Sequence, residues 1–213
     1  MFRRGNLIVT QWEHSRLSGT LASFLGAASG VNNPPLFGAI ALHDWPHFPG
    51  TGVADVIEIG HKSSAQQQEL LSRLAQPLPL DPLTELIVRL HWQRLSEDDA
   101  ELQDAIDGAR IETLRRQLGL SRKQMKRFDQ WTDLCDMFAF YLSRGDSTEG
   151  NCELADPKNQ AAWDLSWTIT PTHLDVRGLP LPADCEVSLL AFDADSYPDV
   201  LQPSFVRISC GSR

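Results

Sequence analysis

At 213 residues, with 42% hydrophobic and 22% charged side chains, the chain is long enough to bury a core as one domain or one domain with an appendage, and disorder as the main state is excluded. A formal net charge of −9 excludes the basic footprint that nonspecific nucleic-acid binding needs. The charge is uneven: residues 1–144 carry 15 basic and 17 acidic side chains, net −2, whereas residues 145–213 carry 4 and 11, net −7.

Arg3 and Arg4 precede only Leu7, Ile8 and Val9, too short an apolar core for a signal peptide, and Leu7 to Thr10 reads as a strand. A helical period begins at Glu13, with His14, Leu17, Leu21 and Leu25 on one face, so His14 points toward the core. A second helix follows Asn32, Asn33, Pro34 and Pro35, aligns Phe37, Ile40, Ala41 and Asp44, and is stopped by Pro46. Within it lies the longest apolar run, Leu36 to Leu42, far short of the roughly 20 residues a bilayer-spanning helix needs. A cytoplasmic protein with no membrane partner is expected.

Residues 46–60 read as a loop. A helix then runs from about Ser63 to Ala75, and the next starts at N-cap Asp81 and Pro82. Its inner stripe is Leu83, Leu86, Ile87, Leu90 and Arg94, with His91 at the edge of the stripe and at least partly buried. One further helix is predicted from Glu97 to Leu118, closed by Gly119. Ser121 caps the last, which reaches Ser143 and buries Met125, Phe128, Thr132, Cys135, Ala139 and Leu142. Asp129, Asp133 and Asp136 fall beside that stripe at i, i+4 and i+7.

After Gly145 the period changes to alternation, with strand-like runs near Trp163 to Thr170, Cys185 to Phe192 and Ser204 to Cys210. Cys135, Cys152, Cys185 and Cys210 form no CxxC pair, so reduced thiols are expected. The predicted architecture is mainly α: a helical bundle over residues 1–145 with a small, acidic, antiparallel β appendage over 146–213 packed on it, α+β overall.

Five of the six histidines, His14, His43, His47, His61 and His91, lie in the first 91 residues. A single histidine on an apolar face is usually a satisfied core residue. The doublet His43-Asp44 changes the weighing. Neighbouring residues on a helix project about 100° apart, so both can reach one ion only at a helix junction, where Trp45 and Pro46 end this helix. Two histidines, that aspartate and a later helical aspartate would offer N and O donors suited to Mn, Fe, Co, Ni or Zn, with positions left for water.

This order of residues resembles the HD (His-Asp) superfamily of metal-dependent phosphohydrolases, in which a His on one helix is followed by a His-Asp doublet on the next and an Asp on a late helix. His14, His43 with Asp44, and Asp136 match that order. The closer similarity is to an uncharacterised bacterial branch, carried by Ile8-Val9-Thr10-Gln11-Trp12-Glu13-His14, Ala39-Ile40-Ala41-Leu42-His43-Asp44, Glu85-Leu86-Ile87-Val88-Arg89-Leu90-His91 and Asp136-Met137-Phe138-Ala139-Phe140-Tyr141-Leu142. The chain departs from that branch just after the doublet, where Trp45, Pro46 and His47 come at once.

The resemblance implies a metal-dependent hydrolase of a phosphoester or nucleotide-like small molecule, acting through a metal-bound hydroxide. His14, His43, Asp44 and Asp136 would hold the metal, with Asp133 as the alternative late ligand. His91, Asp44 and Asp133 would serve catalysis, and His61 and His91 are candidates for a second ion. A small anionic substrate is the implied partner, and homo-oligomerisation stays open. Arg110, Arg115, Arg116, Arg122, Lys123, Lys126 and Arg127 read as a solvated face, or in part as an anion site. Trp12, Trp45, Trp92 and Trp131 read as core packing or as pocket walls. Two other readings remain: a di-iron oxygenase of the same superfamily, and a non-catalytic binding or regulatory module that keeps the fold.

Overall fold

The computed structural model describes residues 1–47, 64–96, 99–106, 108–159, 161–180, 185–197, 199 and 201–211, with only the backbone of 64–67. Residues 48–60 of the expected loop, and His61, lie outside the described residues. Seven strands form one sheet: β1 Phe2–Arg4, β2 Leu7–Val9, β3 Thr148–Ala155, β4 Ala162–Thr170, β5 His173–Arg177, β6 Cys185–Asp193 and β7 Pro203–Gly211. Their spatial order is β1-β2-β6-β7-β5-β4-β3. Neighbours are antiparallel except β5 and β7, which run parallel with Leu174 opposite Cys210.

The expectation of a mainly α bundle with a small antiparallel β appendage is therefore corrected. The chain is an α/β fold, 49% helical and 26% strand, with a mixed sheet that forms a half-barrel. The discrepancy has a physical source. β1 is three residues long, too short to show a period, and β2, expected as a strand, joins the sheet only by pairing with distant β6, at Leu7↔Asp193 and Ile8↔Phe192, with β1 on its other edge. β3 carries Gly150 and Asn151, poor strand formers, and β5 carries His173 and Asp175. Pairing with neighbours makes strands of both.

Seven helices accompany the sheet among the described residues. α1, Gln11–Ser29, is capped by the Thr10 side chain, which accepts from the Glu13 amide, and closes at Gly30 in the left-handed conformation. α2, Pro34–Ile40, ends earlier than predicted. The chain tightens into three-residue turns, His43 N–H to the Ile40 carbonyl and Trp45 N–H to that of Leu42, and then a 3-10 turn over Trp45–His47. Pro46 has no N–H to donate to the Leu42 carbonyl, which accepts from Trp45 N–H instead. The doublet thus sits on a turn.

α3, Ser64–Leu74, and α4, Pro82–Leu95, follow, and Asp81 accepts from the amides of Leu83 and Thr84 to start α4. α4 is buried on every side from Thr84 to Trp92. The single helix expected from Glu97 to Leu118 is two, α5 Ala100–Ala105 and α6 Gly108–Gln117, because buried Ile106 takes an extended conformation between them. α7, Arg122–Arg144, begins with a reciprocal Ser121–Gln124 capping box and ends at left-handed Gly145.

One apolar core runs from α1, α2 and α7 into the sheet, through Leu17, Leu21, Ile40, Ile87, Trp131, Phe138, Ile169, Leu189 and Ile208. The Trp131 indole N–H donates to the Ala155 carbonyl at 2.9 Å and ties α7 to β3. A second cluster joins α3 to α6 around Leu86, Val88 and Trp92. Two glycines let α1 and α2 approach closely: a Cβ on Gly19 would lie 2.4 Å from that of Ala41, and one on Gly26 would lie 2.3 Å from the Phe37 ring. This contact brings the doublet to the first turn of α1.

Candidate metal centre

Four elements converge. His14 comes from the first turn of α1, His43 and Asp44 from the turn after α2, His91 from the second half of α4, and Asp136 from the middle of α7. His14 Nε2 lies 2.8 Å from Asp136 Oδ1 and 3.6 Å from Asp44 Oδ2. His43 Nε2 lies 3.2 Å from each of Asp44 Oδ2 and Asp136 Oδ1. All five side chains are deeply buried except that of Asp136, 19% exposed, so solvent meets the cluster at that carboxylate.

The local bonding fixes which atoms face inward. His43 Nδ1 lies 2.7 Å from the Ile40 carbonyl, which can only accept, so Nδ1 carries the proton and neutral His43 presents a bare lone pair at Nε2. That lone pair points at two carboxylate oxygens. Such an arrangement is repulsive unless a cation, a proton or a metal ion, stands among them. Without a metal the proton is the answer: burial opposes charge on His43, but Asp44 and Asp136 outweigh it and hold its pKa well above 6.5. Burial likewise opposes ionisation of Asp44 and Asp136, yet the neighbouring histidines hold both well below the usual carboxylate range.

The same atoms fit a metal ion. Donor atoms about 3 to 3.5 Å apart are what ligand bonds of about 2.1 Å produce around one ion, and the hydrogen bond from His43 Nδ1 to a backbone carbonyl is the support that ligating histidines commonly have. Two groups could hold an ion, His14 with His43 and Asp136, and His43 with Asp44 and His91.

Of the residues expected at the site, His14, His43, Asp44, His91 and Asp136 are brought together. His91 Nε2 lies 3.2 Å from Asp44 Oδ1, and its Nδ1 lies 3.5 Å from Asp136 Oδ2. Asp133 stands apart from the cluster, its side chain 60% exposed and its Oδ1 2.9 Å from Arg94 Nε. Asp129 pairs with Arg94 as well, not with exposed Arg122, Lys123 and Lys126. Burial raises the pKa of the Asp129 carboxyl, and Arg94 offsets only part of that rise.

Most of the basic run is engaged locally. Arg110 binds Glu85, Arg115 and Arg116 bind Glu112, and Arg127 donates to the Asn159 carbonyl. Trp131 and Trp92 are core residues, whereas Trp12 is 54% exposed.

Three participants escaped the sequence reading. Gln11 Nε2 and Ser15 Oγ both donate to Asp44 Oδ2, Ser15 at 3.1 Å. Arg94 Nη2 lies 3.2 Å from His91 Nδ1. A signal existed: Gln11 and Ser15 are four apart on α1, on either side of His14, and Arg94 is one turn after His91. A polar cavity of about 560 Å³ opens beside Arg94, Gln93, Ser96, Gln103 and Asp129. A larger apolar groove of about 700 Å³ between α1 and α2 holds none of the cluster residues.

No family model, curated protein or solved structure matches the chain. The His/Asp clusters could hold a metal ion, and among the described residues no helix is long and apolar enough to cross a membrane.

Proposed function

We propose that the protein is a metal-dependent hydrolase of the HD type, acting on a phosphoester or nucleotide-like small molecule, with one divalent ion of Mn, Fe, Co, Ni or Zn held by His14, His43, Asp44 and Asp136. The observation that carries the reading is the His43 Nε2 lone pair, fixed by the Nδ1 hydrogen bond to Ile40 and aimed at Asp44 Oδ2 and Asp136 Oδ1. Two imidazoles and two carboxylates also leave the loaded site close to neutral. It is the order of these ligands along the chain, and not the overall fold, that supports the likeness to the HD superfamily.

When bound, the ion supplies a water of lowered pKa and neutralises charge developing on phosphorus-bound oxygens. Gln11 and Ser15 hold Asp44 Oδ2 in place. The burial of His14, His43 and Asp44 keeps bulk water away from all but the Asp136 side. The polar cavity beside Arg94 is within the size range of small-molecule sites.

A second reading rests on the His43, Asp44 and His91 group, which would add a second ion and make a di-iron oxygenase conceivable. Elemental analysis of the purified protein, with phosphomonoester and phosphodiester hydrolysis measured on metal-loaded samples, tests both. One Mn, Co, Ni, Zn or Fe per chain with metal-dependent phosphate release is the expected result. Two irons with dioxygen consumption would replace it by the second reading, and a chain that takes up no metal would end both.

A further inference from the structure

We propose that Cys185 and Cys210 are a reversible redox pair that closes to an intrachain disulfide across β6 and β7. The pair lies outside the metal centre and needs no ion. All four cysteines are free thiols, and their spacing in the chain couples none of them. The antiparallel register, however, sets Cys185 directly opposite Cys210. Opposed residues share one face of a sheet, and both thiols pack into or against the main apolar core. The phase of the ladder fixes their separation. Ser209 N–H donates to the Thr172 carbonyl, beside β5, so the backbone polar groups of Cys210, one residue on, face β6. Asp193 N–H, at the other end of nine-residue β6, donates to the Gln202 carbonyl in the same phase. Cys185 and Cys210 are thus a hydrogen-bonded pair, which places their Cα atoms about 5.5 Å apart, inside the disulfide range of about 4.4–6.8 Å.

Opposed Cβ atoms in such a ladder lie about 4.5–5.5 Å apart, wider than the roughly 3.5–4.5 Å of a relaxed disulfide. Closure must draw the strands together, and the strain it stores makes the bond one that reduces readily rather than a permanent brace. Cys185 is the first residue of β6 and Cys210 the last but one of β7, where such a movement disturbs the fewest neighbouring pairs. Cys185 is half-buried and Cys210 buried, so Cys185 meets the oxidant. Its thiolate attacks one sulfur of a glutathione-type disulfide, forming a mixed disulfide and releasing one thiol. Burial pushes the Cys210 thiol up to about 12, so it acts second: it attacks Cys185 Sγ, the intrachain S–S bond forms, and the second thiol leaves with the Cys210 proton. Two cysteines are oxidised and one small disulfide is reduced to two thiols. Cys152 is also half-buried but stands opposite Leu165, with no thiol across the ladder.

The test equilibrates the full chain, kept in chelator, with glutathione buffers of rising oxidised fraction, followed by acid quench, alkylation and peptide mass mapping. Two of the four thiols should disappear together, a linked Cys185–Cys210 peptide should appear, and both thiols should return when reduced glutathione is restored. Cys210→Ala removes the second thiol and should trap Cys185 as its glutathione mixed disulfide, whereas Cys185→Ala should leave Cys210 unmodified. In denaturant, where the strand register is lost, links to Cys135 and Cys152 should form as well. Four alkylated thiols across the whole series would overturn the proposal, as would a folded wild-type chain that stops at the glutathione adduct or forms a link to Cys135 or Cys152. A Cys185–Cys210 bond that resists reduced glutathione would make the pair a structural disulfide and overturn its role as a redox pair.

Discussion

His43 and Asp136 are 93 residues apart in the chain, yet Nε2 of the one lies 3.2 Å from Oδ1 of the other. The His43 backbone is held by a turn at the end of α2, and Asp136 by the middle of a 23-residue helix. Their meeting depends on α1, which packs against both elements and contributes His14 to the same point.

Removing either member of the doublet should remove the ion. His43→Ala and Asp44→Ala each leave a mixed site one donor short, and more than a hundredfold loss of affinity is expected, beyond the range of about ten- to a hundredfold seen when a supporting residue is lost. Metal content per chain after dialysis checks this. Wild-type occupancy in either variant would make the doublet structural only.

Asp136→Asn and Asp133→Asn should separate. Asp136 touches His14 and His43, so its amide should cost both occupancy and turnover. Asp133 reaches the cluster only through Arg94, so its variant should keep the metal and lose activity by about tenfold, the lower end of the range for supporting residues. A paired metal and activity assay decides, and the reverse ranking would move the ligand to Asp133.

In the metal-free chain stability should fall on both sides of a pH optimum. His43 has a raised folded pKa, so its contribution is complete below 6.5 and is lost as pH rises through the folded value. The depressed Asp44 and Asp136 contribute fully above 3.8, their ordinary value, and lose that contribution as pH falls through their folded values. A metal ion replaces the His43 proton, so affinity should rise with pH and the alkaline loss of Tm should disappear with metal present. Melting curves across pH, with and without a chelator, measure it. A Tm that is flat above pH 6.5 without metal would contradict the His43 assignment.

Gly19→Val tests how the α1–α2 contact serves the site. Even a Cβ would sit 2.4 Å from Ala41 Cβ and 3.0 Å from the Phe37 carbonyl. Overpacking of this kind costs about 1–3 kcal/mol. Because Ala41 is two residues before His43, metal affinity should fall with stability. Denaturant unfolding and zinc titration report the two, and a variant that matches wild type in both would show that the helices can part without moving the doublet.

Local chemistry made much of this molecule readable from its residues alone. Asp81 and Ser121 cap helices as their side-chain oxygens allow, Gly145 follows the last helix, and the apolar period buries Leu17, Leu21 and Leu25. The resemblance to the HD order likewise marked His14, His43, Asp44 and Asp136 as candidates for one cluster, and the apolar period placed His14 and His91 at buried faces. What residue order could not decide was anything set by partners distant in the chain. The half-barrel sheet depends on Leu7 and Ile8 meeting β6 some 185 positions later, and on β5 lying parallel to β7. Tertiary packing also turned residues outside the expected site into participants: Gln11 and Ser15 were drawn onto Asp44, and Arg94 was held between His91 and two aspartates. Periodicity reports which face a side chain occupies, whereas hydrogen-bond partners and strand neighbours are settled only when separate segments compete for the same buried space.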